Sequence, residues 1–302
     1  MRVIITGGTG LIGRALTRSL SKQGHEIILL SRAPERAKDL PQGTRAERWD
    51  GRTAAGWGTL ADGADAIVNL AGENIGAGRW TAERKRRIRE SRIHAGQAVV
   101  EAVEQAAEKP GVVIQASGLG YYGCRDEEII TEETPPGDDF LAEVAIEWEA
   151  STAPVEPMGV RRAVIRTAPV LSMDDGAFPR MIRPFKFGVG GPLGNGEQWF
   201  PWIHIADEVG AIRFLMENPE AKGPFNLTAP DPVRNADFAR ALGRLMGRPA
   251  ILSTPGFVLR LLFGEMATVL LGGQRAIPQR LLDMGFSFRF PQAESAMKDL
   301  LQ

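Results

Sequence analysis

Residues 2–13 read Arg-Val-Ile-Ile-Thr-Gly-Gly-Thr-Gly-Leu-Ile-Gly. An apolar run of strand type meets a cluster of glycines, and apolar residues at helical spacing (Leu11, Ile12, Ala15, Leu16, Leu20) follow at once. Strand, glycine turn and helix in that order are what a dinucleotide-binding turn requires. Gly7 permits a tight exit from the strand, Gly10 lets backbone N–H groups approach a pyrophosphate, and Gly13 lets helix and strand pack closely. The helix start adds partial positive charge at the phosphates, so Thr9, Leu11 and Ile12 join the three glycines as candidate cofactor contacts.

The rest of the chain fits one large α/β domain or two smaller ones, with 302 residues, 43% of them hydrophobic and 24% charged. A net charge of −1 gives no reason to expect nucleic acid or an anionic membrane as partner. The single cysteine, Cys124, rules out an intrachain disulfide and suits a reducing compartment. His25, His94 and His204 lie far apart with no ligand spacing, so no metal site is expected. No leader is read before the first strand. The longest apolar stretch, Gly256 to Gly273, carries Arg260 and Glu265 and repeats apolar residues at helical spacing, which predicts a packed helix, not a membrane span. Together these readings give a soluble, cytoplasmic protein.

Strand-like runs alternate with helical ones through the first half. Strands are expected at Val3–Thr6, Ile27–Leu30, Arg45–Trp49, Ala66–Leu70, Val112–Ala116 and Arg162–Thr167. Helices are expected from about Thr81 to Glu108, with Thr81 as N-cap, and near Asp139–Ala153. Such βαβ alternation with continuously apolar strands predicts a doubly wound parallel sheet. After Thr167 Pro and Gly become frequent and aromatics cluster at Trp199, Phe200 and Trp202, the texture of a ligand-facing region against the sheet's C-terminal edge. We therefore divide the chain into a Rossmann domain over residues 1–170, rejoined around 203–230, and a substrate and C-terminal region over 171–302. The last part, 235–302, reads as mostly helical.

The end of the second strand discriminates between the nicotinamide cofactors. An NAD site usually presents an acid to the ribose 2′-hydroxyl about 20 residues past the glycines. Here Ser31 and Arg32 stand there, with Arg36 close behind and no acid expected in reach. A hydroxyl and a guanidinium suit a 2′-phosphate, so NADP is the expected cofactor. Leu70, Ala71 and Gly72 end the fourth strand with side chains small enough for a close ribose. The following helix is strongly basic; Lys85, Arg89 and Arg92 share a face, and Arg92 lies far enough along to reach the cofactor.

These motifs carry a resemblance. Thr6–Gly13, Ser31-Arg32, Asn69–Glu73, Arg79-Trp80, Ser91-Arg92, Gly120–Gly123, Trp148-Glu149, Gly190–Gly194, Trp202–Ile205 and Gly273–Arg275 together resemble the extended short-chain dehydrogenase/reductase superfamily. More narrowly, the chain looks like its epimerase-family, sugar-nucleotide-epimerase-like subgroup, end to end. That resemblance implies a Rossmann fold with a smaller C-terminal substrate domain, NADP as cofactor, Pro169 and Val170 as backbone contacts at the nicotinamide, and a possible homodimer through the helices flanking Glu108 and Ala150.

The chain departs from the superfamily at the chemistry. The superfamily uses a tyrosine, a lysine four residues later, and a Ser or Thr that polarises the substrate oxygen. No Tyr-x-x-x-Lys exists here: the corresponding positions fall near Leu141 and Ala145, and Gly118 stands where Ser or Thr is expected, with Ser117 one step away. Substitutes near the nicotinamide are Tyr122, with Arg125 close enough to lower its pKa, the thiol of Cys124 and the carboxylate of Glu73. Tyr122 is the chosen catalytic candidate. Glu73, Ser117, Gln198, Trp199 and Trp202 are substrate-pocket candidates, the aromatics for stacking. His204 and Asp207 read as a strand-to-helix junction with Asp207 as N-cap. The expected function is an NADP(H)-binding oxidoreductase or epimerase-like protein that transfers hydride to or from a small molecule with atypical acid/base groups. The alternative is a catalytically silent NADP(H) sensor or scaffold. No Gly-x-Ser-x-Gly elbow supports a serine hydrolase.

Overall fold

The computed structural model describes residues 1–37 and 39–302. Seven strands form one parallel sheet: β1 (Arg2–Thr6), β2 (Glu26–Ser31), β3 (Thr44–Arg48), β4 (Ala66–Asn69), β5 (Val112–Gly118), β6 (Arg161–Thr167) and β7 (Gly223–Leu227). Their spatial order is β3-β2-β1-β4-β5-β6-β7, so the direction of winding reverses between β1 and β4. Ligands of such sheets bind at the carboxyl ends of the strands on either side of that reversal, which here carry Gly7 and Leu70.

Helices cover both faces. On one face α1 (Leu11–Ser21) and α5 (Ile205–Glu217) pack over Val3, Ile5, Leu29, Val68 and Ile114. On the other, α2 (Ala82–Gln105) lies over Ile4, Ile28, Ile67 and Val113, with α3 (Phe140–Ala150) beside it. Alternate residues along each strand thus enter different cores, and both sets are apolar, as a sheet covered on both sides requires. Fully buried side chains such as Leu16 and Leu20 each contribute about 1.5–3 kcal/mol by leaving water. The caps follow local chemistry: Thr81 accepts from the Arg84 N–H at the start of α2, and Asp139 accepts from the Ala142 N–H at the start of α3.

After β6 the chain runs through α4 (Phe178–Lys186), re-enters the sheet with α5 and β7, and continues through α6 (Asn235–Leu245). A third apolar core joins Phe178, Ile182, Trp202, Phe238 and Met297, the last on the final helix, α10 (Ala293–Leu301), which follows α9 (Gln279–Asp283). Trp199-Phe200 pairs antiparallel with Val233-Arg234.

Two expectations require correction. The stretch from Gly256 to Gly273 is not one packed helix. It breaks at Gly264 (φ +61°) into α7 (Gly256–Phe263) and α8 (Ala267–Leu271), and Phe257, Leu261 and Leu262 are 70%, 71% and 58% exposed. The helical spacing was real but ran across a residue in the left-handed region, which ends a helix. Asp207 is not the N-cap of α5. His204 is, its Nδ1 accepting from the Ala206 N–H, while the Asp207 carboxylate accepts from the N–H groups of Arg289 and Phe290 and ties the C-terminal segment down. Among the described residues no helix is long and apolar enough to cross a membrane.

Next to Asp207, Glu208 has an energetic consequence. Its carboxyl is fully buried; Thr167 Oγ1 donates to Oε1 at 3.0 Å, and Oε2 has no partner. Burial pushes its pKa up to about 8, against the smaller opposing pull of Thr167. The unfolded chain gives up this proton near pH 4.5, whereas the folded chain holds it to about pH 8. Stability therefore falls as pH rises through that window, by a few kcal/mol at most. Glu208→Gln is expected to melt with wild type at pH 5 and several degrees above it at pH 8.5. A difference that does not change with pH, measured by thermal melts, would remove this account.

Candidate functional site

The candidate site lies where β1, β2, β4, β5 and β6 end. Thr6 closes β1 with a buried hydroxyl that donates to Asn69 Oδ1 (2.6 Å) and accepts from the N–H groups of Leu70 and Ala71 (3.1 and 3.2 Å). Asn69 Nδ2 in turn donates to Gln115 Oε1. This row of polar side chains fixes the ends of three adjacent strands, and the sequence reading missed it. The available signal was a polar residue in each otherwise apolar strand, at the ends of β1 and β4 and in the middle of β5.

Gly7 has φ +65°, and its turn is closed by the Gly10 N–H donating to Gly7 O at 2.9 Å. A Cβ on Gly7 would lie 2.7 Å from Leu70 O, and one on Gly13 would lie 2.6 Å from Gly7 O. Backbone therefore fills the space that side chains would need. Gly10 caps α1 without a side-chain acceptor, and the first turn carries no acid. The first-turn N–H groups of Leu11, Ile12 and Gly13 cannot bond within the helix and face the strand ends with partial positive charge. Thr9 is exposed at the rim, its carbonyl held by Arg14 Nη1 at 2.7 Å.

At the end of β2 the Ser31 hydroxyl accepts from the Ala33 N–H. Arg32 is exposed and its guanidinium has no ion pair among the described residues. The nearby acid, Glu35, is taken by Arg48 Nη2 at 3.0 Å, while Arg48 Nη1 donates to Arg32 O. A free guanidinium beside a hydroxyl and a neutralised acid make a receptor for a dianionic group. The glycine cradle, the uncapped helix start and this pair fit a phosphorylated dinucleotide.

Further along, the end of β6 passes through Ala168 and Pro169. Pro169 O accepts from the Ile203 N–H, and Val170 pairs with Ile203. A Cβ on Gly118 would make ordinary van der Waals contact, 3.7 Å from Thr167 O, so a side chain is not excluded there. Leu141 lies against Gly120, and Ala145 is buried on the same helix. Neither side chain can hold a proton.

The catalytic expectation for Tyr122 is corrected. Its side chain is fully buried; the hydroxyl donates to Asn226 Oδ1 at 2.7 Å and accepts from Arg166 Nη1 at 2.9 Å. Burial pushes its pKa up to about 12, against the opposing pull of Arg166. Arg125 does not face the phenol: it donates to the backbone carbonyls of Tyr122 and Pro135. Tyr122→Phe is therefore expected to lower the stability by roughly 1–3 kcal/mol, seen as a lower melting temperature, because Asn226 and Arg166 are left short of a partner, while nucleotide affinity stays within about twofold. Loss of binding without loss of stability, in paired melts and titrations, would reinstate the phenol.

Ser117 and Trp202 are also corrected as pocket residues. The Ser117 side chain is buried, and its hydroxyl donates to Glu149 Oε1 at 2.7 Å. Trp202 is 1% exposed within the third core. Nearness to the superfamily's Ser or Thr position suggests a lining role for Ser117, and aromatic character suggests one for Trp202, but both side chains are packing elements. Gln198 Nε2 donates to the carbonyls of Leu193 and Leu270, joining its loop to α8. Trp199 is half-buried, its ring under Arg234 (3.9 Å) and Arg275 (4.8 Å), and its Nε1 donates to Glu127. The Glu73 carboxylate lies 3.8 Å from Arg84 and 3.7 Å from Arg87. Cys124 is exposed, but partial burial of the thiol and the nearby Asp139 raise its pKa, which disfavours a thiolate. No cluster of three metal-ligating side chains occurs among the described residues.

Comparison with known proteins agrees with this geometry. The model of the "NAD dependent epimerase/dehydratase family" matches residues 3–228, and that of a "domain of unknown function (DUF1731)" matches residues 254–300. The chain is 40% identical, over its full length and 87% of the relative, to the chloroplastic epimerase family protein SDR39U1 homolog of Arabidopsis thaliana. It is 39% identical to the epimerase family protein YfhF of Bacillus subtilis, over its full length and 98% of the relative. The crystal structure of the human epimerase family protein SDR39U1 (isoform 2) with NADPH superposes with a TM-score of 0.90 at 37% identity, covering 99% of both chains.

Proposed function

The chain belongs to the NAD dependent epimerase/dehydratase family, and from that premise we propose that it binds NADP(H) and transfers hydride to or from a small molecule. The observation that carries the reading is the unpaired Arg32 beside Ser31, set next to the glycine-lined turn and uncapped start of α1. Gly7, Gly10 and the first-turn amides of α1 would hold the pyrophosphate, Ser31 and Arg32 the 2′-phosphate, and Leu70 to Gly72 the nicotinamide ribose. The NADPH reported with the human relative supports this choice of nucleotide. When bound, the nicotinamide supplies or accepts hydride at C4.

The chain's own residues then restrict the substrate. Leu141 and Ala145 offer no proton, and Tyr122 is sealed and fully engaged. None of these three positions supplies a proton to a developing alkoxide. The site therefore suits acceptors whose reduced form is stable before water protonates it, such as quinones and conjugated carbonyls, over simple ketones. The test is a titration with NADPH followed by turnover assays across quinones, enals, ketones and sugar nucleotides. Absence of NADPH binding would overturn the reading.

The same sealed Tyr122 favours a second reading, a silent NADP(H) sensor or scaffold. It requires NADPH binding without turnover and a partner whose affinity changes between NADP⁺ and NADPH. Turnover of any of these acceptors would dismiss it.

A further inference from the structure

Among the described residues eight large apolar side chains are more than half exposed, and seven of them stand in two short segments. Phe187 and Val189 follow α4, while Ile251, Leu252, Phe257, Leu261 and Leu262 precede and form α7. The two segments lie side by side: the Thr254 N–H donates to Pro192 O and the Gly194 N–H to Thr254 O, both at 2.9 Å. A Cβ on Gly191 would run into Leu252 O. A surface helix ordinarily turns its apolar stripe inward. In α7 Leu259 is buried, yet Phe257 and Leu261, one turn apart, are turned to water with Arg260 beside them. Apolar side chains scattered singly over a surface need no explanation, but a concentration of them does.

Charge singles out the same segments. Residues 178–192 and 246–264 contain no Asp or Glu but carry Arg180, Arg183, Lys186, Arg248 and Arg260. The cations of α2 are engaged: Lys85 pairs with Glu265, Arg89 with Glu143 and Glu147, and Arg92 stacks on the Trp148 ring at 4.7 Å beside Gly72. Arg183, Lys186, Arg248 and Arg260 are exposed and form no ion pair among the described residues. The chain's net charge of −1 averages this local excess away. We propose that this patch seats the protein on an anionic lipid surface, with Phe257, Leu261 and Leu262 entering the acyl boundary and the four cations resting among headgroup phosphates. Lys186 directly precedes Phe187 and Arg260 directly precedes Leu261, so cation and apolar contact are interleaved. A protein interface excludes lysine from its core, whereas at a bilayer the stem lies along apolar surface and the charge stays at the headgroups. A second copy fits worse, because a two-fold contact would set the same unpaired cations against themselves. No described helix is long and apolar enough to span a bilayer, so the contact is peripheral. The inference is independent of the nucleotide reading.

The test is flotation of the full chain with vesicles of phosphatidylcholine alone and of an equimolar phosphatidylcholine–phosphatidylglycerol mixture, with melting and sedimentation recorded without lipid. Wild type is expected to float with the anionic vesicles, to leave the zwitterionic ones largely unbound, and to be released in about 1 M salt. Phe257→Ser with Leu261→Ser should weaken vesicle binding at least about 10-fold, the scale of two apolar side chains kept in water. Arg183→Gln, Lys186→Gln and Arg260→Gln together should weaken it about 100-fold, at about fivefold per cation. Both variants should melt within about 2 °C of wild type, since the side chains replaced are exposed. Equal binding to the two kinds of vesicle, or binding that neither variant weakens, would overturn the proposal. A serine variant that melts far below wild type would show Phe257 and Leu261 to be packing elements and overturn it as well. A wild-type dimer that the serine variant converts to monomer would make the patch a contact between copies. Absence of vesicle binding by wild type at low salt would leave an acidic protein as the occupant and reject a lipid surface.

Discussion

Glu149→Ala is expected to lower the melting temperature by roughly 6–15 °C, the largest stability effect we anticipate from one side chain outside the glycine turn. Glu149 projects from α3 under the strand ends and grips Arg166 with both oxygens: Nε to Oε1 at 2.8 Å and Nη2 to Oε2 at 2.9 Å. It also accepts from Ser117 Oγ. Arg166 is 4% exposed, and its plane lies 3.4 Å from the centre of the Tyr121 ring while Nη1 donates to Tyr122 Oη. Burial works against its charge, but the hydrogen bonds and charge of Glu149 outweigh that and hold the guanidinium above its ordinary range. Removing the carboxylate strands a buried cation, at a cost of about 3–5 kcal/mol. Glu149→Gln, which keeps an acceptor, should lose less. The pair Glu149→Leu with Arg166→Met should lose less than Glu149→Ala alone, because no charge is left unmatched. A Glu149→Ala melt within 2 °C of wild type would show that this network is not what fixes α3 to the sheet.

That network also shows why the chemistry was harder to read than the fold. The parallel sheet was legible because Val3–Ile5, Ile27–Leu30, Ile67-Val68 and Val112–Ile114 are continuously apolar, a pattern that burial on both faces imposes locally. The turn at Gly7–Gly13 was legible because backbone contacts forbid a Cβ at fixed spacing. Tyr122 was misread because proximity to Arg125 along the chain says nothing about which way either side chain points. The groups that decide its state, Arg166 and Asn226, come from strands 44 and 104 residues away. Glu208 and Thr6 were overlooked for the same reason: their meaning lies in the strand opposite, not in their neighbours. The break at Gly264 was invisible to periodicity, since a single left-handed residue leaves the apolar spacing intact.

Arg32→Ala is expected to weaken NADPH binding about 100- to 1,000-fold while leaving NADH binding within about threefold, so that the preference for the phosphorylated cofactor is lost. The expectation follows from what surrounds Arg32. Its carbonyl is held by Arg48, the Trp49 N–H donates to Ser31 O, and Gly51 packs near its Cδ, so the backbone is fixed while the guanidinium is left free. Two charge-assisted hydrogen bonds from a positioned fork to a dianion are worth about 1.5–3 kcal/mol each, and NADH has nothing there to receive them. Arg48 strengthens the discrimination indirectly: by engaging Glu35 at 3.0 Å it neutralises an acid three residues from Arg32 that would otherwise compete for it or repel the phosphate. Arg48→Ala should therefore also weaken NADPH binding, by less than Arg32→Ala, and the deficit should vanish when Glu35→Gln is added. Fluorescence titrations of both cofactors against wild type and these three variants decide the matter. If Arg32→Ala weakens NADPH and NADH alike, the residue shapes the loop and does not read the 2′-phosphate. If neither cofactor is affected, discrimination must come from elsewhere at the end of β2.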